Sequence, residues 1–212
     1  MGNLLEVKNL TKLFPVGYKK NITAINSISF EVHEGETLGL IGESGSGKST
    51  VGRCILNLIK PTAGTLIYRG TKYSELTRNQ RREIQKEMQM VFQDPNYSLN
   101  PRVCVWDTVY NTLKVNKDFT PEQCQRMTKE ALDQVYLKEA DYNKYAHQLS
   151  AGQQQRVGIA RAIAAHPKFI VLDEPTSSLD VSIRAEIIDL LRNLQKNMGV
   201  SYLFISHDLS TI

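Results

Sequence analysis

The sequence predicts an α/β protein with a mostly parallel sheet core and a helical insertion near residues 94–150. Short apolar runs alternate with segments whose apolar residues recur at helical spacing, a pattern typical of parallel α/β sheets. One of these runs leads directly into a glycine-rich loop, and the middle of the chain is mostly helical in pattern. A length of 212 residues suits a single globular domain.

Composition and charge narrow the class of protein. Hydrophobic residues make up 41% and charged residues 23%, which excludes a disordered or collagen-like chain. The net charge of +4 is too small to indicate a nucleic-acid partner. The sequence predicts neither a transmembrane helix nor a signal peptide. The odd number of widely spaced cysteines predicts reduced, buried thiols in a cytosolic protein, at Cys54, Cys104 and Cys124.

The first third of the chain predicts strands at residues 4–7, 28–32 and 37–41, the last apolar on both faces like a buried central strand. After the glycine-rich loop a helix is expected to end before Pro61, because the residue before a proline avoids helical geometry. A strand at 64–68 follows. The apolar face of the helix carries Val51, Ile55, Leu58 and Ile59.

Residues 77–87 predict a charged helix that leads into a short strand at 88–92. Its basic residues are expected on a solvated face rather than in a binding site. These residues are Arg78, Arg81 and Arg82. Trp106 in the following segment is expected in the core.

Capping residues mark two helices of the second half. Thr120 with Gln123, and Ser150 with Gln153, have the spacing of a capping box, in which each side chain satisfies the other residue's backbone N–H. The helix from Ser150 is expected to end just before Pro167.

The chain closes with a strand–helix–strand pattern. The strands lie at residues 169–172 and 202–205, and Gly199 is expected to end the helix between them. The apolar face of that helix carries Ile183, Ile187, Leu190 and Leu194.

The glycine-rich segment at residues 42–49 fits the phosphate-loop pattern G-x-x-x-x-G-K-[ST] completely. Glycines allow the backbone to turn tightly and point several N–H groups at an anion, and the following helix adds its positive N-terminal end. Lys48 supplies a full charge for the terminal phosphates, and the hydroxyl of Ser49 can ligate Mg²⁺. The segment predicts a nucleotide-binding protein.

Two acidic residues follow the apolar strand at 169–172. Ligands of open α/β sheets bind at the carboxyl ends of the strands, so this pair is expected beside the phosphate loop. Asp173 would orient Mg²⁺ or its water, and Glu174 would act as general base on the attacking water.

A strip of small residues opens the helix at Ser150, within residues 149–156. It is either an ordinary capped helix or a second anion-binding helix end. Because the chain already has a phosphate loop, an anion site here would serve the nucleotide of another subunit.

Taken in order, these motifs resemble those of the ATP-binding cassette (ABC) ATPases, and the resemblance covers nearly the whole chain. Residues 42–49 are similar to Walker A, residues 169–174 to Walker B with its catalytic glutamate, and residues 149–153 to the signature motif. Further matches are the glutamine-loop residue Gln93, the interface loop at residues 178–180 and the switch histidine His207.

The resemblance implies a P-loop NTPase fold with an N-terminal antiparallel β lobe and a helical signature subdomain, within one ABC ATPase domain over residues 1–212. Residues 1–93 and 166–212 would form the β lobe and catalytic core, and residues 94–165 the helical subdomain. Family members continue past this length with further strands, so the C-terminal end is expected to be truncated.

The resemblance also implies a set of site residues. Alongside Glu174, the catalytic residues would be His207, Lys48 and Gln93. Mg²⁺ would be held by Ser49, Gln93 and Asp173. ATP would be bound within one subunit by Phe14 (with Tyr18 as an alternative adenine-stacking aromatic), Gly42, Glu43, Ser44, Gly45, Ser46, Gly47, Lys48, Ser49, Thr50, Gln93 and Asp173. From a partner subunit, the same ATP would be contacted by Ser150, Gly152 and Gln153.

Residues 94–102 and 179–183 resemble the ATPase subunits of bacterial oligopeptide, dipeptide and nickel importers. This implies an ATP-hydrolysing motor that drives peptide uptake; the alternatives are a nickel importer ATPase and a soluble, non-transport ABC ATPase. The implied partners are a second ABC ATPase subunit in a head-to-tail dimer, two transmembrane permeases and, indirectly, an extracytoplasmic substrate-binding protein, with no nucleic acid. The protein would lie peripherally on the cytoplasmic face of the cell membrane.

One position departs from the family pattern. Ala151 stands where the signature motif usually has a second glycine. If this position requires a positive φ, alanine is strained there; if it does not, the change costs nothing.

Overall fold

The computed structural model describes residues 2–17, 20–94, 98–116 and 118–208, and the predicted α/β fold is confirmed there as two four-stranded sheets with helices. The strands are β1 (Asn3–Pro15), β2 (Asn21–His33), β3 (Thr37–Ile41), β4 (Ala63–Tyr68), β5 (Thr71–Lys72), β6 (Met88–Val91), β7 (Phe169–Asp173) and β8 (Ser201–Ser206). The α-helices are α1 (Lys48–Ile55), α2 (Arg78–Glu87), α3 (Val105–Lys114), α4 (Pro121–Gln134), α5 (Ala151–Ile163) and α6 (Val181–Met198), with short 3₁₀ turns at Glu139–Asp141 and Ala146–Gln148.

The first sheet is antiparallel, with strand order β2-β1-β4-β5. β1 and β2 are much longer than the predicted strands at residues 4–7 and 28–32, so these predicted bounds were wrong. Their pairing is interrupted by several register shifts, and Asn9 and Ser27 have positive φ angles of 51° and 49°. Such bulges break the alternation of apolar and polar residues from which strand length is predicted.

The second sheet is parallel, with strand order β3-β8-β7-β6. The prediction of a buried central strand at residues 37–41 was wrong, because β3 lies at the edge of this sheet and three of its five residues are exposed. All residues of β7 and β8 are buried, because helices and the antiparallel sheet cover both faces of these central strands. Since all four strands run in the same direction, their carboxyl ends lie at one edge of the sheet. That edge carries the residues predicted to form the site.

The predicted helix caps are confirmed. Thr120 and Gln123 form a capping box at the start of α4, and Ser150 and Gln153 form another at the start of α5. Gly199 ends α6 with a φ of 65°, a conformation that glycine adopts without a steric penalty.

The predicted end of α1 was wrong. The helix ends at Ile55 rather than before Pro61, because Leu56 caps it and Asn57 takes a left-handed conformation with φ 56°. Leu58, which the pattern placed on the buried face, is 60% exposed as a result. The predicted end of α5, just before Pro167, was also slightly late, because the helix ends at Ile163.

Helix α3 lies in a segment where the sequence predicted helical character but no helix bounds. Trp106, on this helix, packs against the core as predicted, and its ring lies 5.7 Å from that of Tyr142. The short strand β5 was not predicted. The basic residues of α2 are exposed, as expected: Arg78, Arg81 and Arg82.

Two hydrophobic clusters surround the parallel sheet. One lies among α3, α4, α5 and α6 on one face, and the other lies between the antiparallel sheet and α1 on the opposite face. Cys54 and Cys124 are buried free thiols as predicted, and burial raises the pKa of Cys54; Cys104 is only partly buried. None of the described helices is both long enough and apolar enough to cross a membrane.

Gly64, the second residue of β4, packs directly against the bulge of β1. Its φ is 99°, and a Cβ added there would lie 2.6 Å from the carbonyl oxygen of Asn9. We expect Gly64→Ala to lower the free energy of unfolding by about 2–5 kcal/mol, because backbone strain and a steric clash add together. Gly70 also has a positive φ, 77°, but no atom lies within 4 Å of its Cβ position.

The control Gly70→Ala should therefore cost only about 1–2 kcal/mol, from strain alone. Urea denaturation of both variants measures the two losses. Equal losses would show that the close contact between β1 and β4 does not constrain Gly64.

Candidate functional site

The phosphate loop joins the carboxyl end of β3 to the first residue of α1. Residues 43–46 are exposed, and Gly45 and Gly47 have φ angles of 81° and 96°. A Cβ on Gly47 would lie only 2.0 Å from the carbonyl oxygen of Ala24 in β2. Only glycine fits there, so the antiparallel sheet fixes the position of the loop. Gly42 precedes this turn, and Thr50 lies partly buried on α1.

Lys48 folds back over the loop. Its side chain is buried, and its Nζ donates to the carbonyl oxygens of Gly42 and Glu43, both at 2.7 Å. An ammonium has three N–H donors, so one remains for an anionic oxygen. The N-terminal end of α1, with its unpaired N–H groups, begins at the same residue.

A hydrogen bond connects the phosphate loop to the end of β7. The hydroxyl of Ser49 donates to Oδ1 of Asp173 at 2.8 Å. Burial raises the pKa of Asp173, while the hydrogen bond from Ser49 and the nearby positive charge of Arg53 act in the opposite direction. Arg53 was not singled out from the sequence, although its spacing of four residues from Ser49 on a helix would have placed it on the same face.

Glu174 adopts a backbone conformation that is rare for a residue with a side chain, with φ 47°. Its backbone N–H donates to the carbonyl oxygen of Ile205 at 3.0 Å, which attaches it to β8. Its own carbonyl oxygen accepts from the hydroxyl of Ser177 at 3.1 Å. These two contacts hold the strained turn in place. Ser177 is a second residue of the site that sequence reasoning missed.

Two predicted site residues meet the carboxylate of Glu174. Nε2 of Gln93 donates to Oε2 at 3.0 Å, and Nδ1 of His207 lies 3.1 Å from the same oxygen. Gln93 follows β6, Glu174 follows β7 and His207 follows β8, so the parallel sheet brings the three together. They line an open cavity of about 600 Å³ together with Ser44, Asp94, Ser177 and Ser178.

The residues predicted to hold Mg²⁺ line one neighbouring cavity of about 470 Å³: Ser49, Gln93 and Asp173. They offer a hydroxyl, an amide and a carboxylate. In the described part of the chain no group of three or more histidine, cysteine or acidic side chains could hold a metal ion. Such a sparse oxygen set fits Mg²⁺ that arrives with phosphate groups, since this ion is usually held by one or two carboxylates plus phosphate oxygens and water.

Phe14 lies near the end of β1, opposite Ile22 of β2. Its ring is partly buried, and Nζ of Lys12 lies 4.9 Å from the ring centroid. Ile22 is two residues along β2 from Ala24, whose carbonyl oxygen lies against Gly47 of the phosphate loop. Phe14 is therefore connected to the loop through β2. Tyr18, and the segment 95–97 of the importer-like stretch, lie outside the described residues.

The signature residues do not join this cluster. In the described ranges neither cavity is lined by Ser150, Gly152 or Gln153. Ser150 and Gln153 cap α5, and a Cβ on Gly152 would lie 2.7 Å from Cγ2 of Ile183, so this glycine also allows α5 and α6 to pack closely. Ala151, the first residue of α5, has no positive φ, and its departure from the family pattern carries no backbone strain.

The interface loop at residues 178–180 lies between the site and α6. Ser178 is exposed in the cavity with Glu174, Leu179 is buried, and Asp180 directly precedes α6. The loop therefore connects the segment that carries the Glu174 carboxylate to the start of a long helix.

Comparison with known proteins identifies relatives of the chain. The chain is 44% identical over 211 residues to the oligopeptide transport ATP-binding protein OppF of Bacillus subtilis, covering 99% of the chain and 69% of that protein. OppF of Streptococcus mutans is also 44% identical, with 99% and 68% covered. Across such curated relatives the chain spans about two thirds of their length, from 64% to 69%.

Solved structures show the same fold. A dimeric structure of the ATP-binding cassette MJ0796, in a post-hydrolysis state with ADP and Pi, matches with a TM-score of 0.84 and 32% identity over 98% of this chain and 89% of that one. The structure of cbiO1 from Clostridium perfringens, part of the ABC transporter complex cbiONQ, matches with a TM-score of 0.85 and 28% identity over 100% and 81%. The model of the ABC transporter family matches residues 25–177. The chain belongs to the ABC transporter family, as an ATP-binding cassette.

Proposed function

We propose that the full-length protein is the ATP-hydrolysing motor subunit of a peptide importer. The observation that carries the proposal is the meeting of Gln93 and His207 on the carboxylate of Glu174, beside a complete phosphate loop. This arrangement suits hydrolysis rather than nucleotide binding alone. The peptide substrate is supported by the relatives named as oligopeptide transport ATP-binding proteins.

ATP is held by the loop and its surroundings. The exposed loop residues 43–46 and the N-terminal end of α1 favour the phosphates, and Lys48 adds a full positive charge. Phe14 stacks on the adenine. Its cross-strand neighbour Ile22 is two residues from Ala24, which lies against the phosphate loop. Thr50 completes the binding segment from within α1.

Asp173, Ser49 and Gln93 would hold Mg²⁺ together with ATP, and the bound ion would supply positive charge to neutralise the phosphates. The hydrogen bond between Ser49 and Asp173 places both oxygens on one side of the phosphate loop before the ion arrives. Arg53 lines the same cavity and supplies positive charge next to the buried carboxylate.

Hydrolysis transfers the terminal phosphoryl group to water. Glu174 accepts a proton from the water while the water oxygen attacks the terminal phosphorus. The bond between that phosphorus and the bridging oxygen to the β-phosphate breaks, which gives ADP and Pi. Gln93 and His207 fix the carboxylate through Oε2. Lys48 stabilises the negative charge of the transferring group.

The active assembly contains two cassettes arranged head to tail. Ser150, Gly152 and Gln153 lie apart from the chain's own phosphate loop and contact the ATP of a partner subunit. The dimeric structures of the related cassette MJ0796 support this arrangement. Two permease subunits and, indirectly, an extracytoplasmic substrate-binding protein complete the importer, and the cassette lies on the cytoplasmic face of the membrane.

Uptake in source cells tests the proposal. We expect cells whose native full-length protein carries Lys48→Ala to lose uptake of labelled peptide, because the phosphates lose their charged partner, while nickel uptake is unchanged. The control Lys196→Ala removes an exposed lysine on α6 and should leave uptake unchanged. Protein levels of both variants are measured by immunoblot.

Loss of nickel uptake alone would replace peptide with nickel as the substrate and keep the mechanism. If neither uptake changes while the variant protein is present, peptide and nickel are both excluded as substrates, the proposed peptide importer is contradicted, and a soluble, non-transport ABC ATPase gains support.

The buried carboxylate of Asp173 predicts a stability cost at neutral pH. Burial raises the pKa of this carboxyl in the folded state, so its charged form favours unfolding. The contribution of Asp173 to the free energy of unfolding is therefore most favourable below its pKa in the unfolded chain and is lost as pH rises through its pKa in the folded state. We expect Asp173→Asn to be more stable than the wild type at pH 7, since an amide oxygen can still accept from Ser49. Thermal denaturation without nucleotide should show the difference shrinking as pH falls from 7 to about 4. A difference that does not change with pH would show that Asp173 carries no such cost.

A further inference from the structure

The loop that carries Gln93 begins and ends in one hydrophobic cluster, to which Val91 and Leu99 both belong. β6 ends at Val91, so Gln93 lies beyond the sheet and its side chain is exposed. Further along the loop, Leu99 is 5% exposed and packs in the cluster formed with α3, α4 and α5. Packing at Leu99 therefore anchors the far end of this loop in the core.

Arg161 on α5 contacts that far end. Its Nη1 donates to the carbonyl oxygen of Ser98 at 2.6 Å, across 63 positions of the sequence. The guanidinium is partly buried, and burial lowers its pKa, although arginine stays charged in proteins. A hydrogen bond from a charged donor is stronger than a neutral one, which suits it to fixing a backbone group.

The geometry assigns Arg161 as a positioning residue for hydrolysis: by holding the carbonyl group of Ser98, it keeps Gln93 against the carboxylate of Glu174. The inference rests on the proposed function, because it gives a further residue to the reaction of that same site. Arg161 also lies on the helix that begins at the signature residues, with Ser150 as its cap.

A double-mutant cycle on the full-length protein, assembled with its partner subunits, tests whether Arg161 acts through Gln93. Arg161→Met keeps an unbranched stem of similar length and removes the donors. We expect it to lower kcat for ATP hydrolysis by about tenfold with the KM for ATP unchanged. In a Gln93→Ala background, Arg161→Met should lower kcat by less than about twofold, because the side chain that Arg161 positions is absent.

Arg156→Met is the matched control on the same helix. Arg156 also donates to a backbone carbonyl, that of Val135 at 3.0 Å, but this carbonyl belongs to the C-cap of α4 and not to the loop of Gln93. It should leave kcat unchanged, and melting temperatures of all variants show the structural cost of each change. An equal loss of kcat from Arg161→Met in both backgrounds would overturn the inference, since Arg161 would then act independently of Gln93.

Amide hydrogen exchange decides the inference without requiring ATP turnover. In Arg161→Met the peptide that contains Gln93 should exchange at least about fivefold faster than in the wild type, whereas Arg156→Met should not change it. A wild-type assembly without ATPase activity would contradict the proposed function and still leave this measurement decisive for Arg161. Unchanged exchange in Arg161→Met would overturn the inference.

Discussion

One carboxylate oxygen, Oε2 of Glu174, joins the separate parts of the site. Gln93 donates to it at 3.0 Å, and His207 lies 3.1 Å away, although the three residues follow three different strands. They meet because β6, β7 and β8 run parallel and end at one edge of the sheet. The same edge receives the phosphate loop through the hydrogen bond from Ser49 to Asp173, so the position of Glu174 relative to a bound phosphate is set by the sheet.

The site is built at a cost in stability. Glu174 keeps a left-handed backbone conformation, which costs roughly 1–3 kcal/mol, and Asp173 keeps a buried carboxylate with a raised pKa. Gly47 is pressed against the backbone of β2. These three features lie next to one another, around the phosphate loop and the carboxyl end of β7. Strain of this kind persists where the surrounding structure over-determines it, and it is expected where function rather than stability selects the conformation.

Local signals in the sequence predicted most of this arrangement. The phosphate loop and the capping boxes at Thr120 and Ser150 depend on residues within a few positions of each other, and both capping boxes are confirmed. The lengths of β1 and β2 could not be predicted, because bulges at residues such as Asn9 interrupt the alternation. The end of α1 depended on the backbone conformation of Asn57 rather than on Pro61.

Contacts between distant segments could not be predicted from sequence patterns either. The bond from Arg161 to the carbonyl of Ser98 joins a helix to a loop that no periodicity connects, and sequence analysis gave neither residue a role in the site. Residues of this kind become visible only when the fold places them against a group that the motifs have already identified.

The most direct test of the account is a single-turnover ATP cleavage assay on the full-length protein, comparing the wild type with Glu174→Gln. Glutamine keeps the size of the side chain and an oxygen that can accept from Gln93, but it cannot take the proton from water. The account predicts that ATP still binds and that cleavage slows by a factor of about 10²–10⁴, the usual contribution of a general base. Cleavage at the wild-type rate would contradict the central role assigned to Glu174.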